Sequence, residues 1–510
     1  MRQRQIAAGL TPASRPSSAN ATSPYKTVED ETAARLQAVS EQARLLKAQL
    51  PSLLKRLSRI PDPRNPKKTQ HQLTTLLLYG LLMFVYQYTS RRQVNREMTS
   101  AVFTQNLREL FPELDQLPHA DTLYRLLEKI DVEALQEAHI QLITTLIKNK
   151  KFRRYLINNC YPVAIDGTQK LTSSRLWSDE LLQRKKKKSE GEKENKAKGK
   201  PADQAQTRTA ESLPGAAGDH EDYQYYVYVL EANLAFRNGM VIPLLTEFLD
   251  YEQGDRDNDK QDCETRAFKR LAERLKTYFP RLPMILLLDG LYANGPIMEH
   301  CARHRWQFMI VLRDESLPSV WSEYHSLLPY QADHHHRQSW GTRQQRFTWV
   351  NQIEYEYGPN DRKKIKVHVV VCEERWEETN DQGECVPKKS RHAWLSSRPL
   401  HQGNVHERCN LGARHRWGIE AGFLVEKHQG YSYEHGFARN WNAMKGYHYL
   451  MRIAHTLNIL ARFSRTLKDA FDRLGVRGFI SFVRDTLKGP WWTPGEVSAR
   501  LARPFQLRLE

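Results

Sequence analysis

Two aspartates stand directly after apolar runs of strand length: Asp166 after Val163-Ala164-Ile165 in YPVAIDG, and Asp289 after Met284 to Leu288 in PMILLLDG. If those runs are neighbouring parallel strands, both carboxylates emerge at one end of a sheet, where open α/β sheets place their sites. Side by side they repel and resist ionisation unless a cation or a shared proton compensates them. Hard, oxygen-seeking Mg²⁺, with Mn²⁺ as substitute, is a cation such a pair selects. Each aspartate also precedes a glycine, and taken singly either one is more simply a turn residue at a strand end.

The third acid, Glu420, lies in ARHRWGIEAGFLVEKHQG, residues 413–430. Arg416 precedes it by four positions and Lys427 follows it by seven. At ~100° per residue these offsets are ~400° and ~700°, so the three side chains project from one helix face within about 40°. An ordinary salt-bridged surface gives the same stripe, since Arg416 and Glu420 are an i, i+4 pair. The alternative is a division of labour, with Glu420 completing a metal site and Arg416 and Lys427 gripping phosphates beside it. Glu426 is the internal control, because ~600° around it points elsewhere. Gly430 is expected to stop the helix.

These residues need a scaffold of two characters. Helical spacing runs from about Val28 to Ile60, from about Thr69 to Thr99, and through HADTLYRLLEKIDVEALQEAHIQLITTLIKNKKF, so residues 29–155 are expected to be α-helical. The apolar stretch Leu76–Tyr86 is about half the length that spans a bilayer and predicts a buried core helix. After Asp166, YQYYVYVLEANLAF and MVIPLLTEFL predict a hairpin joined through RNGM. PMILLLDG, NGPIMEHCARHRW and QFMIVLR then give strand, helix, strand, the spacing of a parallel βαβ unit. Residues 314–405 turn strand-like again, and helices are expected from Glu407 to the end, with PWWTP as a late break.

With 77 Lys and Arg against 59 Asp and Glu, the net charge of +18 favours a polyanion such as nucleic acid, although a basic solvated surface without such a partner remains open. Six cysteines without a CxxC pair suggest neither a zinc knuckle nor a disulfide framework. No apolar leader follows the first residues, and a cytoplasmic protein without membrane partners is expected. Residues 1–28 read as a disordered arm and residues 183–222, rich in Lys, Glu and Gly, as a disordered insertion.

VAIDGT, LLLDGLYANG and RWGIEAGFLVEKHQGYSYEH resemble the three catalytic blocks of bacterial insertion-sequence DDE transposases with a Y-x2-R-x3-E-x6-K signature. Arg416, Glu420 and Lys427 match that signature in spacing, while its Tyr position is held by Ala413. The resemblance spans roughly residues 156–460. It implies an α/β fold: a ribonuclease-H-like mixed sheet with flanking helices in residues 156–313 and 406–465, a β-rich insertion in 314–405, a helical DNA-end-binding region in 29–155 and a C-terminal helical region in 466–510. It further implies Asp166, Asp289 and Glu420 as catalytic residues and ligands of two Mg²⁺ ions, Arg416 and Lys427 as DNA contacts, transposon ends and target DNA as partners, and a homodimer in a synaptic complex. The ions, about 3.5–4 Å apart, would serve cleavage at element ends and strand transfer by cut and paste.

Rival readings are a ribonuclease-H-like nuclease without strand transfer, a domesticated non-catalytic DNA-binding protein, and, further away, a glycosidase, which needs no phosphate-binding Arg and Lys on the Glu helix. Trp394 is a candidate base-stacking residue but more often such a Trp is core. His334-His335-His336 is expected to be a solvated loop, and Lys260, Asp262 and Glu264 a charged turn before a helix.

Overall fold

Thr27 accepts a hydrogen bond from Asp30 N at 3.1 Å, and Glu29, Asp30 and Glu31 fill the following turn, so capping and the helix dipole together start α1 (Val28–Leu57). The computed structural model describes residues 23–114, 116–185, 223–251, 263–331, 333–359, 363–379, 384–491 and 493–510. The helices α2 (Leu73–Val85), α3 (Arg91–Glu97), α4 (Ala101–Leu110), α5 (Ala120–Leu127) and α6 (Glu133–Lys148) follow. The expected core helix is α2: every residue from Thr75 to Val85 is buried. Gly80 is its closest point of approach, since a Cβ there would stand 2.8 Å from Leu123 Cδ2 and 2.9 Å from Leu450 Cδ1. The helical spacing that runs through residues 119–152 is broken between α5 and α6, where Asp131 Oδ1 accepts from Glu133 N at 3.1 Å.

The sheet begins with β1 (Tyr161–Ser173), β2 (Leu182–Lys185), β3 (Tyr223–Ala235) and β4 (Val241–Phe248). α7 (Glu264–Tyr278) leads to β5 (Met284–Leu288), then α8 (Gly295–Arg303) and β6 (Gln307–Val311). The expected hairpin is β3–β4, antiparallel, and the expected βαβ unit is β5–α8–β6, parallel. β1 is parallel to β5 and antiparallel to β3, which yields the contiguous order β4-β3-β1-β5-β6. All five residues of β5 are buried, as a continuous apolar run between covered faces requires.

The segment 314–405 holds α9 (Pro318–Leu327) before its strands β7 (His335–Trp340), β8 (Arg343–Tyr357), β9 (Lys363–Thr379) and β10 (Cys385–Ser396). The helix stands at the start of the β-rich stretch, where Trp321 and Tyr324 bury against β8, with Tyr324 Oη 2.8 Å from Thr348 Oγ1. His335 and His336 also belong to a strand rather than a loop. The antiparallel ladder β7 to β10 is not a separate layer: β10 pairs with β6, so ten strands form one mixed sheet. Helices flank it, and α10 (Gly418–His428), α11 (Trp441–Arg462), α12 (Lys468–Lys488, interrupted at Gly475) and α13 (Pro494–Leu501) close the chain.

α11 ties the helical part to the sheet. It packs on α2, α5, α6 and β4, and its buried Arg452 reaches Glu426 of α10 at 2.9 Å and Glu231 of β3 at 2.8 Å. Strand β2 reaches three residues into the segment read as loop; the rest of 183–222, residues 1–22 of the expected arm, and Lys260 and Asp262 lie outside the described residues. Among the described residues no helix is long and apolar enough to cross a membrane. None of the six cysteines is in a disulfide.

Candidate active site

β1 and β5 run in parallel register with Ala164 opposite Leu287, which puts Asp166 and Asp289, each two residues further on, side by side at one edge. Asp166 is not a strand-end turn residue, because β1 continues to Ser173. Its glycine has a steric reason instead: a Cβ at Gly167 would lie 2.6 Å from both Tyr228 Oη and Glu264 Oε1. Asp289 ends β5 and accepts from Leu291 N at 2.8 Å, capping the short 3₁₀ turn Gly290–Tyr292. For this residue the turn reading and a site role coexist.

Glu420 sits in the first turn of α10, which packs on β1, β3 and β4 through the buried Ile419 and Phe423. Arg416 is not on that α-helix but in a 3₁₀ segment, Ala413–Trp417, immediately before it. The side chain nevertheless turns to the same place. Its Nη2 donates to Glu420 Oε1 at 3.1 Å and its Nη1 lies 3.6 Å from Asp166 Oδ2. Arg416 is buried, 6% exposed, and its Nε has no hydrogen-bond partner.

Acid therefore outweighs base at this rim. Burial pushes the Asp166 carboxyl up to about 7; Arg416 opposes the rise, while Glu420, Asp289 and Glu264 add to it. Glu420 is raised by burial as well, again against the pull of Arg416. Arg313, largely exposed, reaches Asp289 Oδ2 at 3.2 Å and is screened by water. Oxygen donors that resist ionisation and already share one guanidinium are suited to a hard divalent cation. Among the described residues these three carboxylates do not form a set whose oxygens all lie within 4.8 Å of one another.

Lys427 does not join this rim; its Nζ pairs with Glu434 at 3.1 Å. Glu426 points away, as its helical angle demands, into the buried pair with Arg452 and His455. Trp394 is 4% exposed and stacks on His392 with centroids 5.7 Å apart, the core placement that its residue type favours. Ala413, at the signature's Tyr position, is buried at 3%.

Glu264 is the neighbour that sequence reasoning set aside as a charged turn. It accepts from Tyr228 Oη at 2.6 Å and from Tyr292 Oη at 3.2 Å beside Asp166. Only the fold brings it there, since an acid in a first helical turn is unremarkable in sequence. Arg313 reaches the rim from the third parallel strand, two residues past the end of β6.

A cleft of about 550 Å³ opens beside Asp289, with Arg313, Arg391, Arg414, Arg416 and Trp417 on its walls. A larger groove of about 1030 Å³ lies between α3, the end of β1 and residues 434–439, and includes Arg91, Arg92 and Arg439. The smaller cleft is the one that carries Asp289 and Arg416 on its wall.

Residues 54–143 match the family model described as DDE_Tnp_1-associated. The matched stretch runs from the end of α1 through most of α6 and holds the Arg91 and Arg92 wall of the groove. No curated protein matches the chain. The match points to the DDE-type transposase family.

Proposed function

We propose that the chain is a DDE transposase of a bacterial insertion sequence, which cleaves DNA at the element's ends and joins them to target DNA with Mg²⁺ or Mn²⁺. The observation that carries the reading is the Arg416 guanidinium between Asp166 and Glu420 at the edge that also holds Asp289. The strand order β4-β3-β1-β5-β6, antiparallel hairpin first and two parallel strands after, is the support for a ribonuclease-H-like core. The family match in residues 54–143 supports the same conclusion from a part of the chain outside the sheet.

In this reading Asp166, Asp289 and Glu420 would together hold the two ions. Bound there, the ions supply an activated water or DNA 3′-hydroxyl and neutralise the leaving oxygen. Arg416 keeps Asp166 more acidic than burial alone would and fixes the Glu420 carboxylate. Arg313 and the basic cleft wall attract the phosphate backbone, and the groove with Arg91 and Arg92 holds duplex beyond the reacting end. Lys427, beside Glu434 at that groove, contacts backbone rather than bases. Synapsis of two ends calls for a homodimer.

The test is incubation of purified protein with an element end, target DNA and Mg²⁺, with Asp166→Asn, Asp289→Asn and Glu420→Gln alongside. The expectation is cleavage and a joined product from the wild type, and neither from the variants. Cleavage without a joined product would assign a nuclease instead; binding with no cleavage in either metal would assign a DNA-binding protein.

A further inference from the structure

On the far flank of β5, two histidines one helical turn apart face an acid from the neighbouring helix. His300 belongs to α8 and His304 follows its last turn, with His304 N bonded to His300 O at 3.2 Å. Both imidazoles are buried, and their Nε2 atoms lie 3.1 Å apart. Glu273 of α7 brings Oε1 to 3.4 Å from His300 Nε2 and 3.3 Å from His304 Nε2. The triangle has edges of 3.1, 3.4 and 3.3 Å. In a tetrahedron with metal–ligand distances of 2.0–2.1 Å the edge is about 3.3–3.4 Å.

The geometry points to a transition-metal site of the zinc class, held by Glu273 Oε1, His300 Nε2 and His304 Nε2, with its fourth position open to water or an external ligand. Imidazole pairs at i and i+4 with a carboxylate are the donor set that Zn²⁺ and its soft neighbours take, and one that Mg²⁺ avoids. Burial, His304 and the nearby Arg303 and Lys269 hold His300 below its ordinary value, against the pull of Glu273. A direct hydrogen bond between two neutral imidazoles explains their approach to each other but not the arrival of a largely exposed Glu273 at equal distance from both. The metal would clamp α7 to α8. The two helices bracket Asp289 in sequence, and α7 begins with Glu264, but the three proposed ligands are separate from the rim carboxylates.

The test uses metal-stripped full-length protein carrying Asp166→Asn and Asp289→Asn, which weakens competition from the rim. It is titrated with Co²⁺, read by visible d–d absorption, and then with Zn²⁺, read by calorimetry and melting temperature. The expected result is one tetrahedral Co²⁺ per chain, displaced by Zn²⁺, with a raised melting temperature. His300→Ala with His304→Ala should abolish the band. Glu273→Gln, at an exposed position where the fold tolerates the change, should weaken affinity about tenfold or more. Absence of the band in the parent, its survival without the two histidines, or a Glu273→Gln affinity equal to the parent's would each overturn the site.

Discussion

Arg416 Nη1 stands 3.6 Å from Asp166 Oδ2, and the guanidinium is the largest influence opposing the burial that lifts this carboxyl to about 7. Arg416→Gln removes that opposition. The midpoint of Asp166 ionisation, followed by carboxyl ¹³C shift, should move above 7 by roughly one pH unit or more. A midpoint that stays in place would mean that the two side chains do not meet in solution.

Asp166 should also make stability fall with pH. Its folded carboxyl titrates near 7 against an ordinary 3.8, so between those values the folded chain keeps a proton that the unfolded chain has released. Stability from this group is thus present at low pH, declines as pH rises through the window, and is lowest above about 7. Asp166→Asn cannot ionise and should gain on the wild type across the same window, by about 1–3 kcal/mol at pH 8 without divalent metal. Chemical denaturation at pH 5 and pH 8 reads the difference, and equal gains at both would refute it.

Gly167→Ala should damage the site through contact rather than charge. The new methyl would meet Tyr228 Oη and Glu264 Oε1 at 2.6 Å, and Gly167 is held in register opposite Leu230 of β3. A loss of about 1–3 kcal/mol is expected. Adding Glu264→Ala should return part of it, which a thermal melt of the double variant shows.

Two glutamates on one helix should separate structure from chemistry. Glu426→Gln takes one of two carboxylates from the buried Arg452, leaving Glu231, and removes the charge facing His455, at a cost of about 1–3 kcal/mol. Glu420→Gln keeps its hydrogen bond to Arg416 in amide form and should leave the melting temperature within a few degrees while abolishing DNA cleavage. If Glu420→Gln retains cleavage, Glu420 is only a helix-surface partner of Arg416.

Lys427→Ala should weaken DNA binding to all sequences alike and lower the slope of log affinity against log salt by about 1. Fluorescence anisotropy on two unrelated duplexes at several salt concentrations distinguishes this from lost base recognition, which would affect one duplex alone.

The carboxylate rim was legible because its signals are local: a strand-length apolar run before each aspartate, and fixed spacing around Glu420. The same holds for the β5–α8–β6 unit and for α2, whose apolar residues leave no polar face. What escaped depends on contacts distant in sequence. Glu264 looks like any first-turn acid until Tyr228 and Gly167 meet it. The break between α5 and α6 is hidden because apolar spacing continues across it while one Asp131 bond turns the chain. Arg416 and Lys427 share a stripe on an ideal helix, yet the 3₁₀ segment carries Arg416 inward and Glu434 holds Lys427 outward. Spacing fixes which residues share a face, and neighbours decide what they touch.

Because α2 is sheathed on every side and α11 is both its neighbour and the anchor of Glu426 and Glu231, residues 54–143 are not a detachable unit. A chimera that imports this stretch from a relative would have to import the matching surface of α11 too, or open a void at Gly80, Leu123 and Leu450. Point changes on the Arg91–Arg92 wall leave that packing intact, whereas wholesale exchange of the segment does not.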